Sequence, residues 1–186
     1  MRAVLDANVL YPTILREILT DLAAAGLFVP LWSPQILAEW RHAASRSGTA
    51  AGDGTVAGAE IALLSARFPG AEVAGGGQVA IDLNFPDPDD RHVVEAALAG
   101  RAGVIVTANL RDFPPRLMAG LGLRAIHPDA FLLDLHHAHP GAVPAALRAA
   151  RDKATALGGS MSMAQMLKRC RLPRLARAIK VEPGCC

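Results

Sequence analysis

The chain has 186 residues, 52% hydrophobic and 19% charged, an ordinary globular composition with enough apolar material for one sizeable core. No apolar run reaches the roughly 18 residues of a membrane span, and three cysteines (Cys170, Cys185, Cys186) without C-x-x-C spacing exclude a disulfide framework or a cysteine zinc site. The formal charge of +2 is unevenly spread, with fifteen acids against ten bases up to residue 140 and two against nine thereafter, which predicts a cation site early and a polyanion contact late.

In chain order, the first element is a strand, Ala3-Val4-Leu5, ending on Asp6. That early acid leaves no room for a secretory apolar segment after Arg2, so a soluble, cytoplasmic protein is expected. A helix follows over Ile14 to Ala25, then a strand at Leu27-Phe28-Val29 and a helix over Pro34 to Ala44 with Ser33 as its cap. Residues 48–58 and 74–77, rich in glycine, read as connections. Helices are expected over Ile61 to Phe68 and Arg91 to Ala99, the latter introduced by Asp87 as N-cap and Pro88 as first helical residue, and a strand at Val104-Ile105-Val106. The alternation predicts an α/β fold with a parallel sheet. After Pro128 the pattern is helical throughout. Ser162 and Gln165 have the spacing of a capping box, Met163, Met166, Leu167 and Cys170 form an apolar stripe, and a last helix runs from Arg174 to Lys180. No G-x-G-x-x-G follows a strand and no glycine-rich stretch ends in Lys-Ser/Thr, so nucleotide-cofactor binding is unsupported.

Four carboxylates stand out. Parallel sheets bind ligands beyond the carboxyl ends of their strands, where Asp6 and, after "VIVTANLRD", Asp112 would lie. Asp90 shares a helical stripe with Val93, Val94 and Ala97, while Glu39 lies one turn beyond Gln35 and Ile36. Each has a plainer use, since acids near a helix start offset its dipole. Together, however, they would repel unless a divalent cation neutralised them, and all-oxygen ligation suits Mg²⁺ or Mn²⁺. Asp87 or Asp89 is the alternative to Asp90 as the third ligand.

The stretches "LDANVLYP", "GLFVPLWSPQILAEWR", "DPDDRHVVEAALAGRAGVIVTANLRDFP" and "HPDAFLLDL", with the tail "LPRLARAIK", resemble the PIN-domain ribonucleases, specifically the VapC-like toxins of bacterial toxin-antitoxin pairs. The resemblance implies a three-layer α/β/α domain with a short central parallel sheet over residues 1–135 and a basic helical extension over 136–186. It implies Asp6, Glu39, Asp90 and Asp112 as catalytic metal ligands, with Asn8, Thr107 and Asn109 as polar support. It further implies a Mg²⁺- or Mn²⁺-dependent endoribonuclease with an RNA substrate, a small antitoxin partner and a homodimeric state. A non-catalytic RNA- or protein-binding module of the same fold is the alternative.

Other features have simpler expectations. A metal-bound water makes a histidine base unnecessary, so His92 is expected on a helix surface. His136, His137 and His139 do not share a helical face and fit a helix end better than a metal site, and Trp32 and Trp40 fit the core. Lys168, Arg169, Arg171, Arg174, Arg177 and Lys180 form a basic surface able to contact RNA phosphates. An aspartyl-phosphate phosphatase is excluded because Asn8 stands where its second Asp is required.

Overall fold

Short strands that are apolar on both faces need helices over them, and the chain supplies these in its connections. A computed structural model describes residues 1–46, 54–74, 85–158 and 160–179. Strands β1 (Arg2–Leu5), β2 (Val29–Leu31), β3 (Val104–Val106) and β4 (Arg124–Ile126) form one sheet in the order β2-β1-β3-β4 with every pairing parallel. Its helices are α1 (Ala7–Leu10), α2 (Thr13–Ala24), α3 (Pro34–Arg46), α4 (Gly54–Arg67), α5 (Arg91–Ala99), α6 (Pro115–Gly120), α7 (Pro128–Ala138), α8 (Ala142–Ala156), α9 (Met163–Arg169) and α10 (Pro173–Ala178). The expected class, an α/β fold with a short parallel sheet followed by helices, is the one found. Among the described residues no helix is long and apolar enough to cross a membrane.

The strand order places the site. From β1 the chain passes outward to β2, then returns to the other side of β1 for β3 and β4, so the winding reverses between β1 and β3. At such a reversal the connections leave the two carboxyl ends in opposite directions and open a crevice. Leu5 pairs with Val106 at that end, which puts Asp6 and Thr107 side by side just beyond the ladder, with the Asp6 N–H donating to the Val106 carbonyl at 3.1 Å. Helix α5 covers β1 and β3 through Val93, Val94, Ala96 and Ala97, all fully buried.

Contacts divide the chain into two compact units. The first joins Met1–Tyr11 to Phe28–Ile126 and holds the whole sheet; the second joins Pro12–Leu27 to the helices from His127 onward. The helical part thus starts before the sequence boundary drawn at 135/136 and also takes α2, which packs on α8.

Several local expectations shift. The second strand lies at Val29–Leu31 and contains Pro30, which an edge strand tolerates because the missing N–H is not needed by a second neighbour. Residues 54–58, expected as part of a connection, are helical: Ala57, Ile61 and Leu64 lie one turn apart and are buried, and α4 packs on α3. At Gly58 a Cβ would stand 3.8 Å from the Arg41 guanidinium, so this glycine sits beside a neighbouring helix rather than in a turn. Helices α1 and α6 and strand β4 have no counterpart in the expectations. Most of 48–58, nearly all of 74–77, Lys180 and the terminal cysteine pair lie outside the described residues.

Within the second unit, Ser162 and Gln165 form the expected capping box, at 3.2 and 2.8 Å, and Met166 and Leu167 are buried while Met163 and Cys170 are half-buried. Helix α7 ends at Ala138 with His139 as C-cap, the expected helix end. The first turn of α7 also starts α10. The His127 Nδ1 accepts the Asp129 N–H at 3.2 Å, and the buried Asp129 carboxylate accepts the Arg174 and Leu175 N–H groups at 2.9 Å each. Burial holds the His127 pKa below its usual 6.5, with Arg171 acting in the same direction and Asp129 opposing, which keeps the imidazole neutral and its Nδ1 an acceptor.

Replacing Asp129 with Ala leaves two N–H groups of α10 unsatisfied and is expected to cost about 2 kcal/mol in urea unfolding, with new proteolytic sensitivity after residue 172. Asp129→Asn, which retains one acceptor oxygen, should cost roughly half as much; equal stability of all three proteins would show that this carboxylate does not anchor α10.

Candidate active site

The turn after β1 and the turn after β3 are tied together by polar side chains. Asp6, almost fully buried, receives the Asn8 Nδ2–H at 2.5 Å and the Thr107 hydroxyl at 2.6 Å, both on Oδ2, and the Ala7 N–H also bonds the carboxylate. Asn8 reaches the opposite turn as well: its Nδ2 donates to the Thr107 Oγ1 at 3.0 Å and its Oδ1 accepts the Ala108 N–H at 2.9 Å. Thr107 in turn accepts the Asn109 N–H at 3.0 Å. Asn109 donates to the Asp112 Oδ2, and its own Oδ1 accepts from Arg111 Nε at 3.0 Å. A continuous chain of hydrogen bonds therefore runs Asp6–Asn8/Thr107–Asn109–Asp112 along the end of the sheet.

The two remaining acids come from helices. Asp87 caps the 3₁₀ turn Pro88–Asp90 by accepting the Asp89 N–H at 2.9 Å, so Asp90 has no capping duty although it precedes α5. Asp87 and Asp89 are exposed; Asp90 is half-buried. Burial, followed by the charges of Asp6, Asp112 and Asp87, pushes the Asp90 pKa up to about 7, with His92 opposing. The Asp6 pKa is also raised, first by burial and then by Glu39, against the Thr107 and Ala7 hydrogen bonds and His92. Each of the four predicted acids thus bears electrostatically on at least one other.

Glu39 projects from α3, whose N-terminus is capped as expected by Ser33, the Oγ accepting the Ile36 N–H at 3.2 Å. Here a sequence expectation is overturned. His92 does not lie on a helix surface: it is buried, and its Nε2 is 2.7 Å from Glu39 Oε1, close enough for an ion pair but not aligned as a hydrogen bond. The physical reason is the width of the buried face of α5, which takes in positions 92 and 96 as well as 93, 94 and 97 because the helix lies over two strands. Ala96, one turn beyond His92, was the available signal. Trp32 and Trp40 are core residues as expected.

The donors fit a hard divalent cation in kind: all are oxygens, and confining their negative charges raises proton affinity in the way a bound cation would reverse. Among the described residues no three His, Cys, Asp or Glu side chains are spaced to hold an ion by themselves.

A family model for the PIN domain matches residues 2–111, more than half of the chain, and covers every residue of this cluster except Asp112. A Mycobacterium tuberculosis protein named "Putative ribonuclease VapC50" is 53% identical over 45 residues; the match covers 24% of this chain and 27% of that protein. No solved structure gave a match.

The raised pKa of Asp90 sets a sign for pH dependence. The folded metal-free protein holds a proton that the unfolded chain releases, so this contribution to stability is complete below about pH 4 and is lost as pH rises through about 7. Asp90→Asn removes the dependence, and its melting temperature should exceed that of the wild type by a margin that widens from about pH 5 to about pH 8. A margin independent of pH would show that Asp90 does not carry this charge.

Proposed function

The chain belongs to the PIN-domain family, VapC-like in character, and from that membership and the acid cluster we propose that it is a metal-dependent endoribonuclease. The observation that carries the reading is the convergence of mutually repelling carboxylates, Asp6 buried and the others half-buried, at the reversal between β1 and β3. Asp6, Asp90, Asp112 and Glu39 would hold Mg²⁺ or Mn²⁺, which when bound supplies an activated water and neutralises charge on the reacting phosphate. Asn8 and Thr107 hold the Asp6 carboxylate in one orientation, and Asn109 does the same for Asp112. Preset orientation removes the need to order these side chains during reaction. His92 acts as a positioning residue that fixes Glu39.

The name of the mycobacterial relative, a putative ribonuclease, supports RNA as the substrate, and the VapC-like character supports a role in a toxin-antitoxin pair. In that setting we propose action in the cytoplasm, restrained by a small antitoxin protein, with a homodimer as the active assembly. The exposed Lys168, Arg169, Arg171, Arg174 and Arg177 would meet the RNA backbone.

Asp6→Asn and Asp90→Asn should each reduce Mg²⁺- or Mn²⁺-dependent RNA cleavage by at least about 100-fold in a folded protein, whereas Thr107→Val, which loosens Asp6 without removing it, should cost about 10- to 100-fold. Asp87→Asn retains a capping oxygen and should cleave normally. RNA binding without cleavage by the wild type, at any divalent ion, would favour the non-catalytic module instead. Changing Arg169, Arg174 and Arg177 together to Gln should weaken RNA binding and flatten its dependence on salt by about one unit of slope per lost phosphate contact; an unaltered slope would remove these residues from the RNA surface.

A further inference from the structure

The second unit contains a cavity of about 630 Å³, within the usual range for a small-molecule site, formed where the start of α7 meets α9 and α10. Its floor is apolar: Leu167 and Leu172 are buried beneath it, and Ala164, Pro173 and Ala176 supply small or flat walls that leave the space unfilled. Four polar residues line it. Asp129 has both carboxylate oxygens engaged by N–H groups of α10. His127 uses Nδ1 as an acceptor, so in its neutral form the proton resides on Nε2, a donor. Lys168 and Arg171 are exposed, and among the described residues neither side chain has a hydrogen-bond or ion-pair partner. Arg171 is also one of two non-glycine residues with positive φ among the described residues, at 56°, a conformation that turns the chain between α9 and α10 and sets the guanidinium at this cavity.

Every polar group left available at the cavity is therefore a donor, and two of them are cations, above a floor that offers only apolar contact. We propose that this cavity binds a small amphiphilic carboxylate, its apolar body on Leu167 and Leu172 and its anionic head between Lys168 and Arg171. The complementarity is of two kinds that no single simple ligand class satisfies otherwise: a neutral hydrocarbon would leave the cations unpaired, a sugar or inorganic phosphate would leave the floor wet, and an organic cation would be repelled. Depression of the His127 pKa supports the donor assignment, because a neutral imidazole with its acceptor nitrogen engaged can only donate. The site is independent of the acid cluster and stands whether or not the chain cleaves RNA.

The test is calorimetric titration of the full chain with decanoate, decanol, decyltrimethylammonium and acetate, in the absence of RNA and divalent ions. Decanoate should bind saturably at one site and at least about tenfold more tightly than decanol, the scale of one charge-assisted hydrogen bond; acetate and the ammonium amphiphile should show no saturation. Arg171→Asn, which keeps a residue tolerant of positive φ, and Lys168→Gln should each lower decanoate affinity by about three- to tenfold and leave decanol unchanged. Ala176→Phe fills the cavity and should abolish binding of both, with Ala164→Phe as the second filling variant should the first fail to fold. Equal affinity for decanoate and decanol, or unchanged binding in a folded filling variant, would overturn the proposal.

Discussion

The crossed hydrogen bonds among Asp6, Asn8 and Thr107 are the interaction on which the site depends. They lie where the winding of the sheet reverses, and the bonds to Thr107 and Ala108 join the turn leaving β1 to the turn leaving β3. A carboxylate with almost no solvent exposure is costly unless its charge is met by donors. Two side-chain donors and a backbone N–H meet it here, and the same bonds fix the relative position of both turns. Asn109 and Asp112 inherit their placement through Thr107.

This arrangement concentrates charge rather than dispersing it. Burial and neighbouring acids raise the proton affinity of Asp6 and Asp90, a condition that lowers stability at neutral pH when no cation is present. A fold would have little reason to gather acids in this way for packing alone, since an apolar residue at any of these positions would be cheaper. Buried His92 opposes the rise in proton affinity at both Asp6 and Asp90, and its Nε2 lies 2.7 Å from Glu39 Oε1.

The helical unit solves a different problem. Helices α9 and α10 are too short to be stable alone, and each start is supplied with an acceptor: the Ser162 hydroxyl for α9 and the Asp129 carboxylate, borrowed from α7, for α10. Asp129 is spent internally, while Lys168, Arg169, Arg171, Arg174 and Arg177 are exposed. The excess of positive charge late in the sequence thus becomes a surface property, and at the cavity it becomes a set of donors over an apolar floor.

Read alone, the sequence determined the features that depend on neighbouring residues or on repeating period. These are the strands β1 and β3, the helices α3 and α5, the caps at Ser33, Asp87 and Ser162, and the candidacy of Asp6, Glu39, Asp90 and Asp112 as acids at strand ends or on helix faces. Caps and periodicities are local, so their signal survives without the fold. Tertiary structure decided what depends on partners distant in the chain. Pro30 sits in a strand because β2 is an edge, the glycine-bearing start of α4 is helical because α3 packs against it, and β4 exists because β3 offers a free side. His92 is buried because α5 spans two strands rather than one, and Asp129 is spent on α10, forty-five residues away. In each case the deciding energy is a contact or hydrogen bond across long sequence separation, which no local pattern encodes.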